Sequence, residues 1–436
     1  MKRLIYIVLL AMLPVAFCSC EREGFVRDDG GVMLEFSADT VAFDTVFTTV
    51  GTATERLTVY NRSDENLLLS SVTLEGGRAS RFRLNVDGDT SLVARDVEIE
   101  AGDSIFIFVQ ANINPNDNQQ PFLVEDAISF SNGQRLPLTA WGRNAVYHQP
   151  TDTLYFSSGS YLVCSIIDCV NWDHARPHIL MGNAVVLDGS TLILQAGEEL
   201  YFANEAILMF DTNARLVANG SATQPVLFTS LRHDGWYSFL PGQWQCILFT
   251  GGSTGNIINH AIVENGTGGL RSYPRSQLTV TNSIIRNMSD CGIIGQGATI
   301  TGRNLLVYDC LAGFTALVGG SYDFRRCTFA NYWSYSGRKI ETIVLSNNMY
   351  VDGSVVGGNL EKADFTDCII WGTYYSGEVL LSELEGYSFN RRFLHSIVKG
   401  GEWDEDPLFT APREDDYTLQ EGSPAIGIGY QFSSEK

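Results

Sequence analysis

NHAIVEN (259–265), TNSIIRN (281–287), RNLLVYD (303–309) and RRCTFAN (325–331) stand in register at a spacing of about 22 residues, and NNMYVDG (347–353) keeps it. Each segment has a three-residue apolar core followed, two positions later, by Asn265, Asn287, Asp309, Asn331 or Gly353. These are the residue types that accept a left-handed backbone bend. The apolar runs are short and rich in Val and Ile, without the three-and-four spacing of an amphipathic helix, so the repeating units are strands. A fixed period of this size, with several short strands and corners per repeat, predicts a solenoid of stacked coils about 4.8 Å apart.

Stacking predicts columns. Val263, Ile285, Val307, Phe329 and Val351 form one inward column, and Ala261, Ser283, Leu305, Cys327 and Met349 a second. The position between them faces outward, yet it reads Ile262, Ile284, Leu306, Thr328 and Tyr350, an apolar stripe that needs a cover or a partner. His260, Asn282, Asn304, Arg326, Asn348, Asp367 and His395 run down one edge, where stacked amides would bond in ladders. Past Gly353 the period slips, and the inward column resumes at Ile370 and Val398. Longer or shorter coils mean loops, and loops carry binding.

Working toward the N-terminus, residues 184–230 alternate apolar and polar runs punctuated by Gly189, Gly197 and Gly220, an irregular start to the same stack. This stretch, with PGQWQCILF (241–249), resembles the opening coils of right-handed parallel β-helix proteins of the pectate-lyase-like superfamily. DPLF (406–409), DYTL (416–419) and SPAIGIG (423–429) resemble the closing segment of that group. Earlier still, residues 32–147 hold alternating strands separated by short turn signals, the pattern of a β-sandwich. Within it, TERLTVYNRSDENLLLSSV, VEIEAGDSIFIFVQANINPN and LPLTAWGRN resemble immunoglobulin-like domains of the abnormal-spindle and hydin type, which implies a structural or adhesive role. The expected fold class is therefore all-β, an N-terminal immunoglobulin-like β-sandwich plus a right-handed parallel β-helix. Residues 148–183 are expected to be a linker and N-terminal cap, 184–405 the helix proper, and 406–436 a closing segment over one end.

The chain opens with MKRLIYIVLLAMLPVAFCSC, a basic start and an apolar run ending in small residues and Cys20. Residues 1–20 read as an export signal, too short to span a bilayer. The end of this segment resembles the lipobox of bacterial lipoproteins, although Phe17 and Cys18 depart from its commonest form. That resemblance makes Cys20 the lipidated residue, residues 21–31 a tether, and the outer membrane the destination, on either its periplasmic or its surface face. Acyl chains there would hold the protein on the bilayer.

The formal net charge of −21, from 29 basic and 50 acidic residues, excludes nucleic acid as a natural partner. Cys327 and Cys368 fall in an inward column as apolar fillers; only Cys164 and Cys169 are close enough in sequence for a local disulfide, and zinc-type CxxC spacing is absent.

Chemistry is harder to find. Hydrolases of the resembled superfamily carry Asn-Thr-Asp, Gly-His-Gly and Arg-Ile-Lys motifs, and none stands here. Its lyases use an Arg or Lys base, usually with calcium, so the resemblance implies calcium only for a lyase; otherwise no cofactor and no metal is expected. Arg303 and Arg325 occupy equivalent positions on neighbouring coils with Arg326 beside them, and need either an anionic ligand or an internal partner such as Asp309 or Asp323. Tyr332, Trp333 and Tyr335, then Trp371, Tyr374 and Tyr375, follow one corner, where flat rings can stack on sugar faces or cover the apolar stripe. The reading is a non-catalytic, lipid-anchored binding surface for a glycan or an envelope protein. Two alternatives stand beside it: a polysaccharide lyase or other carbohydrate-active enzyme, and an accessory subunit of an outer-membrane complex docking through the stripe.

Overall fold

The structure, a computed structural model, describes residues 24–28, 31–52, 54–116, 121–156, 159–172, 175–232 and 235–432. Cys20, the expected lipidation site, lies outside the described residues, and among those described no helix is long and apolar enough to cross a membrane. The chain is all-β and divides into two compact units between Asn144 and Ala145.

In the first unit, two sheets share one core. One orders Val26–Asp28, Leu67–Leu74, Phe122–Phe130, Arg135–Arg143 and Val41–Phe47, with Val93–Ile99 added beside Leu67–Leu74; the other orders Glu35–Phe36, Glu55–Tyr60, Ser104–Ala111 and Phe82–Val86. Alternation decides which side chains enter the core. Along Ser104–Ala111, Ile105, Ile107, Val109 and Ala111 are buried while Phe106 and Phe108 face out. The fully buried Asn61 ties two turns together, its Nδ2 donating to the carbonyls of Glu65 (2.8 Å), Ile99 (3.2 Å) and Glu100 (3.0 Å).

In the second unit, short strands pair in parallel with the strand one coil later. Val263 sits beside Ile285, Ile285 beside Val307, Val307 beside Phe329, Phe329 beside Ile370 and Ile370 beside Val398. The first five are wholly buried and Val398 nearly so, as are Ala261, Ser283, Leu305, Cys327 and Cys368 in the neighbouring column. Larger rings fill the wider part of the interior: Phe324 and Phe365 stack 5.3 Å apart, Phe365 and Phe393 5.1 Å. Gly302 leaves room for them, since a Cβ there would collide with the Phe324 ring. Stacking begins earlier than the repeat announces. Val146–His148 already pairs with His178–Leu180 and Cys169–Trp172 with Thr191–Leu194, so much of 148–183, expected as linker and cap, supplies strands to the stack.

One corner of the coil is a single residue in the left-handed region: His260, Asn282, Asn304, Arg326, Asp367 and His395 all have φ between 48° and 53°. Their amides do form a ladder, Asn304 Nδ2 donating to Asn282 Oδ1 and Asn282 Nδ2 to Asn259 Oδ1, both at 3.0 Å. In the last coil Arg391 takes the inward place above Ala363, and a charge so placed discourages another strand from adding to the open edge.

Two expectations are corrected. NNMYVDG is not a rung: Asn348–Val351 folds back on Ser354–Gly357 as an antiparallel hairpin, with Asp352 (φ 46°) and Gly353 (φ 82°) in its two-residue turn. Val351 and Tyr350 are consequently exposed, Met349 leaves the inward column, and Asn348 leaves the polar edge, whose next member after Arg326 is Asp367. The second is the C-terminal segment, expected over one end of the stack: it supplies the cover that the outward apolar stripe needs. Leu306, Ile369 and Ile397 are buried beneath Phe409, Tyr417, Ala425 and Ile428 of the C-terminal segment, with Ile284 half-buried at its margin. That segment runs across several coils, bonding Gly429 N to Asp367 O (2.8 Å), Tyr430 N to Thr328 Oγ1 (2.9 Å) and Gln431 N to Asn304 Oδ1 (2.7 Å). It covers a side of the stack.

Cys164 and Cys169 carry free thiols on different strands, the first half-buried and the second exposed.

Candidate functional site

The second corner of the coil is where the regular repeat is interrupted. Asn265 (φ 66°), Asn287 (φ 57°) and Asp309 (φ 46°) make the left-handed bend expected of them; Asn331 does not, remaining in extended strand with its Nδ2 on Cys310 O (2.7 Å). Register partners are about 22 residues apart between Val263 and Ile285 but about 40 apart between Phe210 and Phe249 and between Phe329 and Ile370. Between Phe210 and Phe249 most of the surplus leaves the coil at this corner; between Phe329 and Ile370 part of it loops out here and the rest forms the Asn348–Gly357 hairpin further round the coil. The amide column holds the loops at this corner. Asn265 Nδ2 donates to Ser238 O (3.0 Å) and Asn287 Nδ2 to Phe239 O (2.8 Å), fixing the turn Gly235–Phe239. Tyr335, from the other loop, donates its hydroxyl to the same Phe239 carbonyl.

Three rings stand out from this framework: Trp236 (72% exposed), Phe239 (66%) and Tyr335 (43%). Beneath them Arg232 lies 3.2 Å from the Tyr237 ring centroid, and Trp333 packs 5.2 Å from Tyr335 while bonding Ser336 through Nε1. The Tyr335 loop is anchored by a buried ion pair between Arg338 and Glu378, whose carboxylate also accepts from Thr342 N (3.1 Å) and Tyr374 N (2.9 Å). A buried pair of this kind holds only with its hydrogen bonds complete.

Polar groups line the adjoining strand ends. Arg286 donates to Glu264 Oε2 (2.8 Å from Nε) and to Tyr308 Oη (2.8 Å), and its Nη1 lies 3.9 Å from Asp415 of the C-terminal segment. Burial works against the Arg286 charge, and Glu264 and Tyr308 more than restore it, holding its pKa above the ordinary value. Asp309 accepts from Tyr332 N (3.0 Å) and Tyr417 Oη (3.4 Å). Burial pushes its carboxyl up to about 6, with Asp415 adding repulsion and the Tyr332 N–H opposing.

The candidates read from sequence thus separate. Tyr332 and Trp333 belong to this corner with Asn265, Asn287, Asp309 and Asn331, but Tyr332 is half-buried against the C-terminal segment and Trp333 is buried. Trp371 is also half-buried there, with Lys399 Nζ 5.6 Å from its ring, and Tyr374 lies under Arg338. Arg303 and Arg325 lie on a different sheet, both on Asp323 (2.9 and 3.2 Å), which is the internal partner weighed for them; Arg326 occupies a left-handed bend and is exposed. Sequence reading passed over Trp236, Phe239, Glu264, Arg286, Asp415 and Tyr417. The available signal was GWYSFLPGQW (235–244), four aromatics in a stretch too long for one coil. Among the described residues no group of three or more His, Cys, Asp or Glu could hold a metal ion.

No family model matches the chain, and no curated protein matches it. Among solved structures it is similar to the catalytic domain of a GH87 alpha-1,3-glucanase in complex with tetrasaccharides, at 9% identity over 85% of this chain and all of that one, with a TM-score of 0.15. A likeness that slight bears no weight on fold or function.

Proposed function

We propose that this protein is a lipid-anchored envelope protein, held through Cys20 on the outer membrane, whose second unit binds an uncharged glycan at the aromatic corner without transforming it. In this reading the first unit is an immunoglobulin-like sandwich and the second a right-handed parallel β-helix. The regular pairing of strands one coil apart, with its buried columns and single-residue bends, supports the latter.

One observation carries the binding proposal: Trp236, Phe239 and Tyr335 stand exposed on loops pinned to the amide column, beside the donors and acceptors of Arg286, Glu264 and Asp415. Flat rings next to fixed polar groups suit the two faces of a sugar, apolar C–H on one side and hydroxyls at the rim. Carboxyl groups outnumber the one arginine among them, which disfavours acidic sugars. A glycan array probed with the full chain and with the double variant Trp236→Ala, Tyr335→Ala tests this. Binding to neutral glycans that the variant loses supports the proposal; no binding, or equal binding by both, refutes it.

A second reading rests on Asp309. A carboxyl that keeps its proton to about pH 6 is the kind of group that can protonate a departing glycosidic oxygen, with Glu264 or Asp415 as the second carboxylate. Release of new reducing ends from a bound glycan, abolished by Asp309→Asn, would favour it over simple binding. The lyase alternative is less well supported, because Arg303 and Arg325 are engaged by Asp323. Docking through the apolar stripe loses its surface to the C-terminal segment.

A further inference from the structure

A second surface lies on the sheet whose strands precede the left-handed bend. Its outward side chains run in three columns: Gln277, Thr299, Ser321 and Lys362; Ile257, Thr279, Thr301, Asp323, Asp364 and Arg392; Asn259, Thr281, Arg303, Arg325, Thr366 and Leu394. Hydroxyls are gathered at Thr279, Thr281, Thr299, Thr301 and Ser321, and charges on the coils that follow, at Arg303, Asp323, Arg325, Lys362, Asp364 and Arg392.

The charges do not balance. Asp323 takes Arg303 (2.9 Å), Arg325 (3.2 Å) and Lys362 (2.5 Å); Asp364 takes Arg392, with Nε at 2.9 Å from Oδ1, and has Lys362 at 3.6 Å. Four cations therefore share two carboxylates, in a chain where acidic residues otherwise outnumber basic ones by 50 to 29. The two aspartate side chains are sunk into the surface, 15% and 10% exposed, whereas the Arg325 and Arg392 side chains stand out at 56% and 62%. Arg303 and Arg325 are direct register partners, an arrangement of like charges that costs stability unless an anion offsets it. Asp323 meets part of that need, and the rest is open toward solvent.

We propose that this face binds the carboxylate of an acidic sugar, gripped by the Arg325 and Arg392 guanidinium groups, with the neighbouring threonine and serine hydroxyls meeting the hydroxyls of the adjoining sugars. Each of these guanidinium groups turns its Nε–Nη2 edge to Asp323 or Asp364, which leaves the Nη1 side to donate to a carboxylate from solvent. The hydroxyl columns repeat once per coil and offer partners to a chain lying along the stack. The strongly negative chain repels densely charged polymers, which selects a mostly neutral glycan bearing occasional acids. This site is separate from the aromatic corner and does not depend on it.

The test is calorimetric titration of the full chain with neutral oligosaccharides that each carry one glucuronate, galacturonate or sialate, against the same backbones without the acid and against sodium sulfate. At least one acidic oligosaccharide should bind, and the double variant Arg325→Gln, Arg392→Gln should weaken it by about tenfold or more. The variant Trp236→Ala, Tyr335→Ala should leave this binding intact, so failure of the corner and failure of this site are told apart. Arg392→Gln also removes the main partner of the sunken Asp364, so the single variant Arg325→Gln, in which Asp323 keeps Arg303 and Lys362, is titrated beside it; it should unfold near the wild-type midpoint and still bind the acid more weakly. No binding by any acidic member, binding unchanged in the Arg variants, or displacement by sulfate as tight as the sugar would each overturn the proposal.

Discussion

Replacing Asp309 by Asn should make the protein more stable, and by an amount that depends on pH. Asn287 Nδ2 donates both to Asn265 Oδ1 (2.6 Å) and to Phe239 O, which fixes the amide's orientation and turns its Oδ1 the other way. That oxygen is buried with no hydrogen-bond partner. Asp309 is the next rung, since Arg286 pairs with Tyr308 and Met288 with Cys310. A carboxylate there has no proton to give, whereas an asparagine amide does.

The groups facing Asp309 are Asp415, Tyr417, Tyr332, Tyr335, Tyr308, Cys310 and Arg338. In the unfolded chain this carboxyl ionises near 3.8, and in the folded protein it keeps its proton to about 6. The folded state thus binds the proton more tightly. Stability from this group is full below pH 3.8, falls as pH rises through 6, and stays low above it. The interval corresponds to about 3 kcal/mol, and completing the ladder adds about 1 kcal/mol. Asparagine keeps an acceptor for Tyr332 N–H, so little is lost. Denaturant midpoints of wild type and Asp309→Asn across the acid range should diverge as pH rises through 6. A variant less stable than wild type above pH 6, or one whose advantage does not vary with pH, would refute the reasoning.

Other outcomes follow from the same contacts. Glu378→Gln should cost about 3–5 kcal/mol by leaving Arg338 buried beside a neutral amide, read by denaturation, while Arg338→Met with Glu378→Leu should recover much of it. Phe329→Ala, in the fully buried column, should cost about 3–5 kcal/mol, whereas Tyr350→Ala on the hairpin should cost under about 0.5 kcal/mol. Ending the chain before Asp406 should uncover Leu306, Ile369 and Ile397, and dye binding to exposed apolar surface should rise sharply.

The stack was legible in the sequence because its constraint is local and repeated: one apolar pair and one bend-forming residue per coil, at Val263, Ile285, Val307 and Phe329. NNMYVDG misled because it carries the same apolar core and bend residue. The competing signal was Asp352-Gly353 between Tyr350-Val351 and Val355-Val356, a two-residue hairpin turn flanked by apolar strands. The apolar stripe was correctly read as needing a cover, but its cover comes from Phe409 and Tyr417, far along the chain and invisible to a periodicity argument. Lys362 and Arg392 escaped notice because they join Arg303 and Arg325 only across coils of irregular length. Of the aromatic corner, Tyr335 was legible as a ring following the repeat, while Trp236 and Phe239 were passed over because they arise from an insertion ahead of the regular coils, marked only by the aromatic run GWYSFLPGQW.

The claim that most needs a direct measurement is that loops from three separate parts of the chain make one glycan site. Hydrogen exchange on the full chain, with and without a neutral glycan that it binds, reads this by position. Slowed exchange confined to 235–242, 332–338 and 412–417 is the predicted result. Slowing in 299–325 instead, or nowhere in the second unit, would contradict it.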